Sequence, residues 1–250
     1  LLVYDLEESI IRYTYGELYR KCIEFCIFLK QNNIECGDTV VSILPNSPEI
    51  IVAFFSSIIM GVNFSPLPCT VTKREFENWL NIVKPKLILK KQGIAEYDTK
   101  DIISISCQAN GKLGFLSGIE GQQINLLESN SVSNLFIMTS GTIGLPKAIS
   151  INTENLWISG NDFAKFEGIA ESRYRFWNYL PMSYLGGLYN LALIPLCIEG
   201  SFVISEPFSG KTVLSFWNFV DKHKINALWL VPAIMKGLIE IARLTGNQRR

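Results

Sequence analysis

Residues 39–60 read TVVSILPNSPEIIVAFFSSIIM, and the way this stretch continues to residue 90 decides the fold class. Thr39 to Leu44 is a short β-branched run, the pattern of a buried strand. Pro45-Asn46-Ser47 turns the chain, and Pro48 takes the first helical position, where its missing N–H costs nothing. Residues 48–60 form an apolar run interrupted by Ser56 and Ser57, a buried helix that Gly61 can stop. Residues 62–65 read as the next strand, followed by Pro66-Leu67-Pro68. Thr72 and Glu75 have the spacing of a capping box, and the helix they open ends near Lys84, because Pro85 disfavours helical geometry in the residue before it. Residues 86–90 are another strand. Apolar strands alternating with helices predict parallel βαβ units: an α/β protein with layered, largely parallel sheets flanked by helices.

Outward from this core, Thr14 and Glu17 make a second capping box, and Leu18, Cys22, Phe25, Cys26 and Leu29 share one helical face down to Asn33. Between residues 92 and 133 the pattern weakens to short strand candidates, 102–106 and 113–116, among Gly, Ser, Asn and Gln. An apolar run at 135–138 and a β-prone segment at 149–151 are strands, and Asn152 or Thr153 can cap a helix running to about Phe166. Strands at 175–180, 201–205 and 226–231 follow. Between them lie a loop at 181–187 entering a helix that ends near Gly200, a helix at 211–223, and a last helix from Pro232 that fades at Gly246. No repeat and no Pro-, Gly- or Ser-rich linker cuts the chain.

With 250 residues, 48% of them apolar and 18% charged, there is ample material for a core. Twenty-three basic side chains balance 23 acidic ones, which removes the electrostatic argument for a nucleic-acid partner. The cluster Lys222-His223-Lys224 reads as a solvated helix end. Six cysteines without a regular framework suggest a reducing, cytoplasmic setting, and Cys22 and Cys26, one helical turn apart, suit packing better than metal binding. No apolar run reaches the roughly 18 residues of a membrane span. The chain opens on Leu-Leu-Val without an initiator Met and reads as cut at its start.

The chemistry concentrates at residues 138–148, MTSGTIGLPKA. Thr139, Ser140 and Thr142 supply hydroxyls, Gly141 and Gly144 let backbone N–H groups turn inward, and Lys147 adds a full charge. A concave, donor-rich loop of this kind suits a polyphosphate. The alternative is an ordinary Gly/Ser/Thr hairpin turn, against which its length counts, since tight hairpins use about two to five residues. Other chemistry has little material. His223 is the sole histidine and reads as a polar helix terminus. Ser140 lacks the flanking glycines of a nucleophile elbow, and Ser209-Gly210-Lys211-Thr212 lacks the first glycine of a Walker loop, so it reads as a turn opening a helix.

The segment TSGTIGLPKA resembles the TSGTTGxPKG loop of the adenylate-forming (ANL) superfamily, which includes acyl- and aryl-CoA synthetases, adenylation domains and luciferases. Further segments resemble that family in the right order. Tyr13-Thr14-Tyr15-Gly16-Glu17-Leu18 is similar to its TYxEL segment, and Gly61-Val62 through Pro66-Leu67-Pro68 to its GAxxxPLNP segment. Asn155-Leu156, then Leu180-Pro181-Met182-Ser183 with Gly186-Gly187, then Trp229-Leu230-Val231-Pro232 also have counterparts.

The resemblance implies a two-step reaction. A carboxylic acid attacks the α-phosphate of Mg²⁺-ATP, pyrophosphate leaves, and the thiol of CoA or of a carrier-protein phosphopantetheine takes the acyl group. It further implies that Thr139, Ser140, Gly141, Thr142, Gly144 and Lys147 bind the ATP phosphates, and that Tyr184, Gly186 and Gly187 border the acyl pocket. No catalytic residue and no metal ligand is assigned within these 250 residues. Four positions depart from the family: Ile143 replaces a Thr, Ala148 a Gly, and Thr153 and Tyr184 stand where histidine is common. No YGxTE segment is present, nor the later ribose-binding Asp and C-terminal Lys. The expectation is therefore a partial N-terminal AMP-binding domain over residues 1–250, lacking the domain's end and the small C-terminal domain. Such a piece is expected to be inactive alone. The alternative is a non-catalytic descendant serving as a binding or scaffolding module.

Overall fold

A computed structural model describes residues 1–6, 9–94, 99, 102–119, 121–122, 132–139, 147–169 and 173–245. Six strands form one sheet: β3 (Thr39–Ile43), β4 (Asn63–Leu67), β5 (Leu87–Lys91), β6 (Ile103–Cys107), β7 (Asn134–Thr139) and β8 (Lys147–Asn152), in the order β6-β5-β3-β4-β7-β8. All pairs are parallel except β7–β8. The second sheet runs β2-β1-β10-β9, from β1 (Leu2–Leu6), β2 (Ser9–Tyr13), β9 (Arg175–Asn178) and β10 (Ser201–Ile204), with only β2 antiparallel. Seven α-helices join them: α1 (Tyr15–Gln31), α2 (Pro48–Met60), α3 (Lys73–Val83), α4 (Thr153–Phe166), α5 (Ile194–Cys197), α6 (Gly210–His223) and α7 (Pro232–Thr245). This is the expected α/β fold.

Strand alternation puts successive side chains on opposite faces; the central strands of each sheet are buried on both faces, while the edge strands β2 and β8 are partly exposed. In β3, Val40 enters the central core, while Val41 and Ile43 meet Phe76 and Trp79 of α3. In β10, Phe202 and Ile204 enter the same central core, and Val203 meets Trp177, Phe216 and Ile234 beneath α6 and α7. The central core is filled by α1, α2, α4 and α5. The layers are therefore helix, sheet, helices, sheet, helices. Each outer layer places a tryptophan N–H on a serine hydroxyl at 2.8 Å: Trp79 on Ser65 and Trp177 on Ser205.

Local signals are borne out where they are strongest. Both capping boxes form, with Glu17 and Glu75 reaching back to the N–H of Thr14 and Thr72. Gly61 ends α2 in the left-handed region, φ 67°. Cys22 and Cys26 are buried in packing, and burial pushes both thiols up to about 12. Ser209 and Thr212 cap the start of α6, so that turn opens a helix as read. No helix among the described residues is long and apolar enough to cross a membrane.

Three readings need correction. Residues 113–116 are not a strand: Leu113 takes φ 51°, and a 3₁₀ turn follows at Gly114–Leu116. The run at 226–231 is not a strand: it lies beside β9 but makes only one isolated parallel bridge to it, Ala227 with Phe176, and its apolar side chains pack under α6 and α7. Lys222 and His223 are not simply solvated. Both donate to the carboxylate of buried Asp5, Lys222 at 2.7 Å and His223 at 2.5 Å. Burial lowers the His223 pKa, against the opposing pull of Asp5. As the length of the loop suggests, β7 and β8 are not joined by a tight turn: they pair as an antiparallel hairpin, and seven residues, 140–146, separate their last ladder pair.

Candidate functional site

The last ladder pair of that hairpin is Thr139 with Lys147, leaving residues 140–146 to make the connection. Ser140, Gly141, Thr142 and Gly144 lie outside the described residues. At the mouth, the Thr139 hydroxyl donates to the Lys147 carbonyl at 3.2 Å, and the Lys147 side chain is exposed. β7 pairs β4 at Phe64 with Leu135, and β4 pairs β3 through Ile43 with Leu67. These parallel registers bring the mouth to the carboxyl edge of the sheet, the edge at which open α/β sheets bind ligands. Just past β8, the Asn152 side chain accepts from Glu154 and Asn155 N–H and starts α4. Thr153, where histidine is common in the resembling family, is buried and bonded to Ser133 through hydroxyl and carbonyl.

The second cluster follows β9, at the carboxyl edge of the other sheet. Residues 186–193 wind as a π-helix, Gly186–Leu193, wider than an α-turn, and continue into α5. Asn178, the last residue of β9, is buried and donates to the carbonyls of Gly187 (2.9 Å) and Leu191 (3.2 Å). Gly187 is buried too: a Cβ there would stand 2.4 Å from the Leu180 carbonyl oxygen and 2.5 Å from that of Pro181. Only hydrogen fits. Gly186 is less constrained, with Leu180 Cδ1 at 3.1 Å from the corresponding point. Tyr184 is 44% exposed, neither core nor closed pocket, and its N–H donates to the Pro181 carbonyl at 3.2 Å. The structure thus puts Thr139, Lys147 and the 184–187 segment on carboxyl edges, with Tyr184 accessible and Gly187 serving close packing. Asn178 escaped the sequence reading, although an amide ending an otherwise apolar strand was its available signal.

At the hairpin mouth the exposed Lys147 ammonium is available to an anion, whereas the Thr139 hydroxyl is engaged by the Lys147 carbonyl. Among the described residues no three His, Cys, Asp or Glu side chains are grouped to hold a metal. A largely apolar cavity of about 770 Å³ lies elsewhere, lined by Tyr15, Tyr19, Phe55, Trp157 and Tyr174, at the amino ends of β9 and β10.

Residues 2–249 match the family described as AMP-binding enzyme. The chain belongs to that family. Among relatives, it is 26% identical over 234 residues to 2-succinylbenzoate–CoA ligase of Bacillus velezensis, covering 90% of this chain and 45% of that protein. It is 22% identical over 237 residues to 4-coumarate:CoA ligase 1 of Petunia hybrida, covering 89% and 43%. The chain thus spans less than half the length of these curated relatives. Among solved structures, o-succinylbenzoate CoA synthetase of Bacillus subtilis, in complex with its acyl-adenylate intermediate, superposes with TM-score 0.77 at 20% identity, covering 96% of this chain and 47% of that one. The chain therefore has the fold of the N-terminal domain of adenylate-forming enzymes.

Proposed function

We propose that this chain is the N-terminal part of an ATP-dependent, AMP-forming acid–thiol ligase, and that its 250 residues are a partial AMP-binding domain. The observation that carries the reading is the wide connection at the carboxyl edge of a parallel sheet, with Lys147 at its mouth, in a member of the AMP-binding enzyme family. The relatives named above are CoA ligases, which supports a carboxylic acid as substrate and CoA as acceptor. A solved neighbour, McyG A-PCP complexed with phenylalanyl-adenylate (TM-score 0.80, 16% identity), supports a carrier-protein thiol as the alternative acceptor.

In this reading Thr139, Ser140, Gly141, Thr142, Gly144 and Lys147 grip the β- and γ-phosphates, and Mg²⁺ arrives on the polyphosphate. Lys147 and the loop donors neutralise charge on departing pyrophosphate, while Tyr184, Gly186 and Gly187 border the acid, aligning its carboxylate for in-line attack on the α-phosphate. The six free thiols support a reducing, cytoplasmic setting.

Hydroxamate trapping across a panel of carboxylic acids, with the full-length protein carrying this chain, tests the reading. One or more acids should yield ATP-dependent hydroxamate, and Lys147→Ala should lower the rate about 100-fold, the scale of losing one positioned donor to a developing anion. The isolated chain should show no ATP–pyrophosphate exchange. A second reading, a non-catalytic binding or scaffolding module, is favoured by Thr153, whose hydroxyl is committed to Ser133 where relatives often carry an imidazole. ATP binding without hydroxamate from any acid would select it.

A further inference from the structure

Asn46 follows the carboxyl end of β3 in the six-stranded sheet, yet its side chain is bonded to the chain leaving β9 in the other sheet. Its Nδ2 donates to the Leu180 carbonyl at 2.9 Å, and its Oδ1 accepts from the Met182 N–H at 2.9 Å. The residue is 3% exposed. An amide that both donates to and accepts from one short backbone stretch does what a neighbouring strand would do. Pro181, between the two bonded residues, has no N–H of its own to offer. Gly187 also lies against the Leu180 and Pro181 carbonyls with no room for a Cβ. The stretch 180–182 is therefore bonded by Asn46 and closely packed by Gly187, and Tyr184 hangs from it through its bond to Pro181. β3 lies one strand away from β7, the strand that leads to the phosphate hairpin.

We propose that Asn46 is a positioning residue, fixing the acyl-bordering segment to the sheet that carries the phosphate loop, so that acid and nucleotide are held in register. The assignment rests on the ligase reading above and adds a residue that touches neither substrate. Losing the side chain would leave the buried Met182 N–H and Leu180 carbonyl without this partner, and would free the segment to shift relative to β3.

The test uses Asn46→Ala in the full-length protein, with steady-state hydroxamate formation and hydrogen exchange measured in parallel. Should that variant not fold, Asn46→Ser, whose hydroxyl can serve only one of the two partners, is read the same way. The KM for the acid should rise about tenfold or more, with the KM for ATP changed less than about twofold. The Met182 amide should exchange about 10- to 100-fold faster, while amides in α2 and β3 keep their protection. An unchanged acid KM overturns the assignment. So does a loss of protection throughout α2 and β3, with both KM values rising together, because that marks a merely structural role. If the unsubstituted protein yields no hydroxamate with any acid, the ligase reading itself falls and takes the positioning role with it, an outcome distinct from an active enzyme indifferent to Asn46.

Discussion

Helix α2 and the π-helix at 186–193 are both buried, apolar and adjacent to the central core, yet they are held in opposite ways. α2 is regular along 13 residues, opened by Pro48 and closed by Gly61 in the left-handed region, with Ile50, Ile51, Val52, Ala53 and Phe54 inside the protein. Its geometry follows from its own sequence, and tertiary packing supplies the energy. The 186–193 turn is opened beyond α geometry, and groups outside the turn complete it: the Asn178 side chain bonds to its carbonyls, and the Leu180 and Pro181 backbone occupies the space a Cβ at Gly187 would need. Wide helical turns recur at functional sites, where irregular backbone is kept because the surroundings impose it. One region is specified locally and the other by its neighbours.

Substitutions can break that contrast. Phe54→Ala should have the largest effect, about 3–5 kcal/mol of lost stability in denaturant unfolding, because it opens a cavity among Phe55, Phe64 and the rest of the core. It should leave the local order of exchange protection in α2 intact. Gly187→Ala should cost about 1–3 kcal/mol through overpacking, with the lost hydrogen-exchange protection concentrated at 178–193. If protection falls equally in α2, the two regions are not independent. Gly61→Ala should cost about 1 kcal/mol, since a Cβ is disfavoured at φ 67°, and the fraying should stay in the last turn of α2.

The smallest effect belongs to neither region and serves as a control. The folded state lowers the His223 pKa, chiefly by burial, so below about pH 6.5 the unfolded chain binds more protons than the folded one. This contribution is present above that pH and is lost as pH falls through the lowered value. His223→Gln, which can still donate to Asp5, should flatten that part of the stability profile without altering protection in α2 or the 186–193 turn.

The βα units between residues 39 and 91 were legible because each boundary carries its own chemistry: three β-branched or apolar runs, a capping box at Thr72, a glycine at 61 and a proline at 85. Leu113 misled because a branched apolar residue in the left-handed region has no sequence signature. The run at 226–231 misled because β-prone composition does not reveal whether a segment lying beside a strand will pair along its length or at one residue only. At the site, Thr139, Lys147 and Tyr184 could be found from a resembling motif, whereas Asn46 read only as part of a turn and Asn178 only as part of a strand.

The sequence by itself determined the α/β class, the placement of most helices and their caps, and the family, because these depend on short-range periodicity and on motifs a few residues long. Only the tertiary structure decided that the central strands of both sheets are buried on both faces, that Lys222 and His223 close on Asp5, and that Asn46 joins the two sheets at residues 180–182. The Asn46 bonds span 134 and 136 positions. A hydrogen bond over that distance exists only once the chain has folded, and its ends carry no mark of each other beforehand.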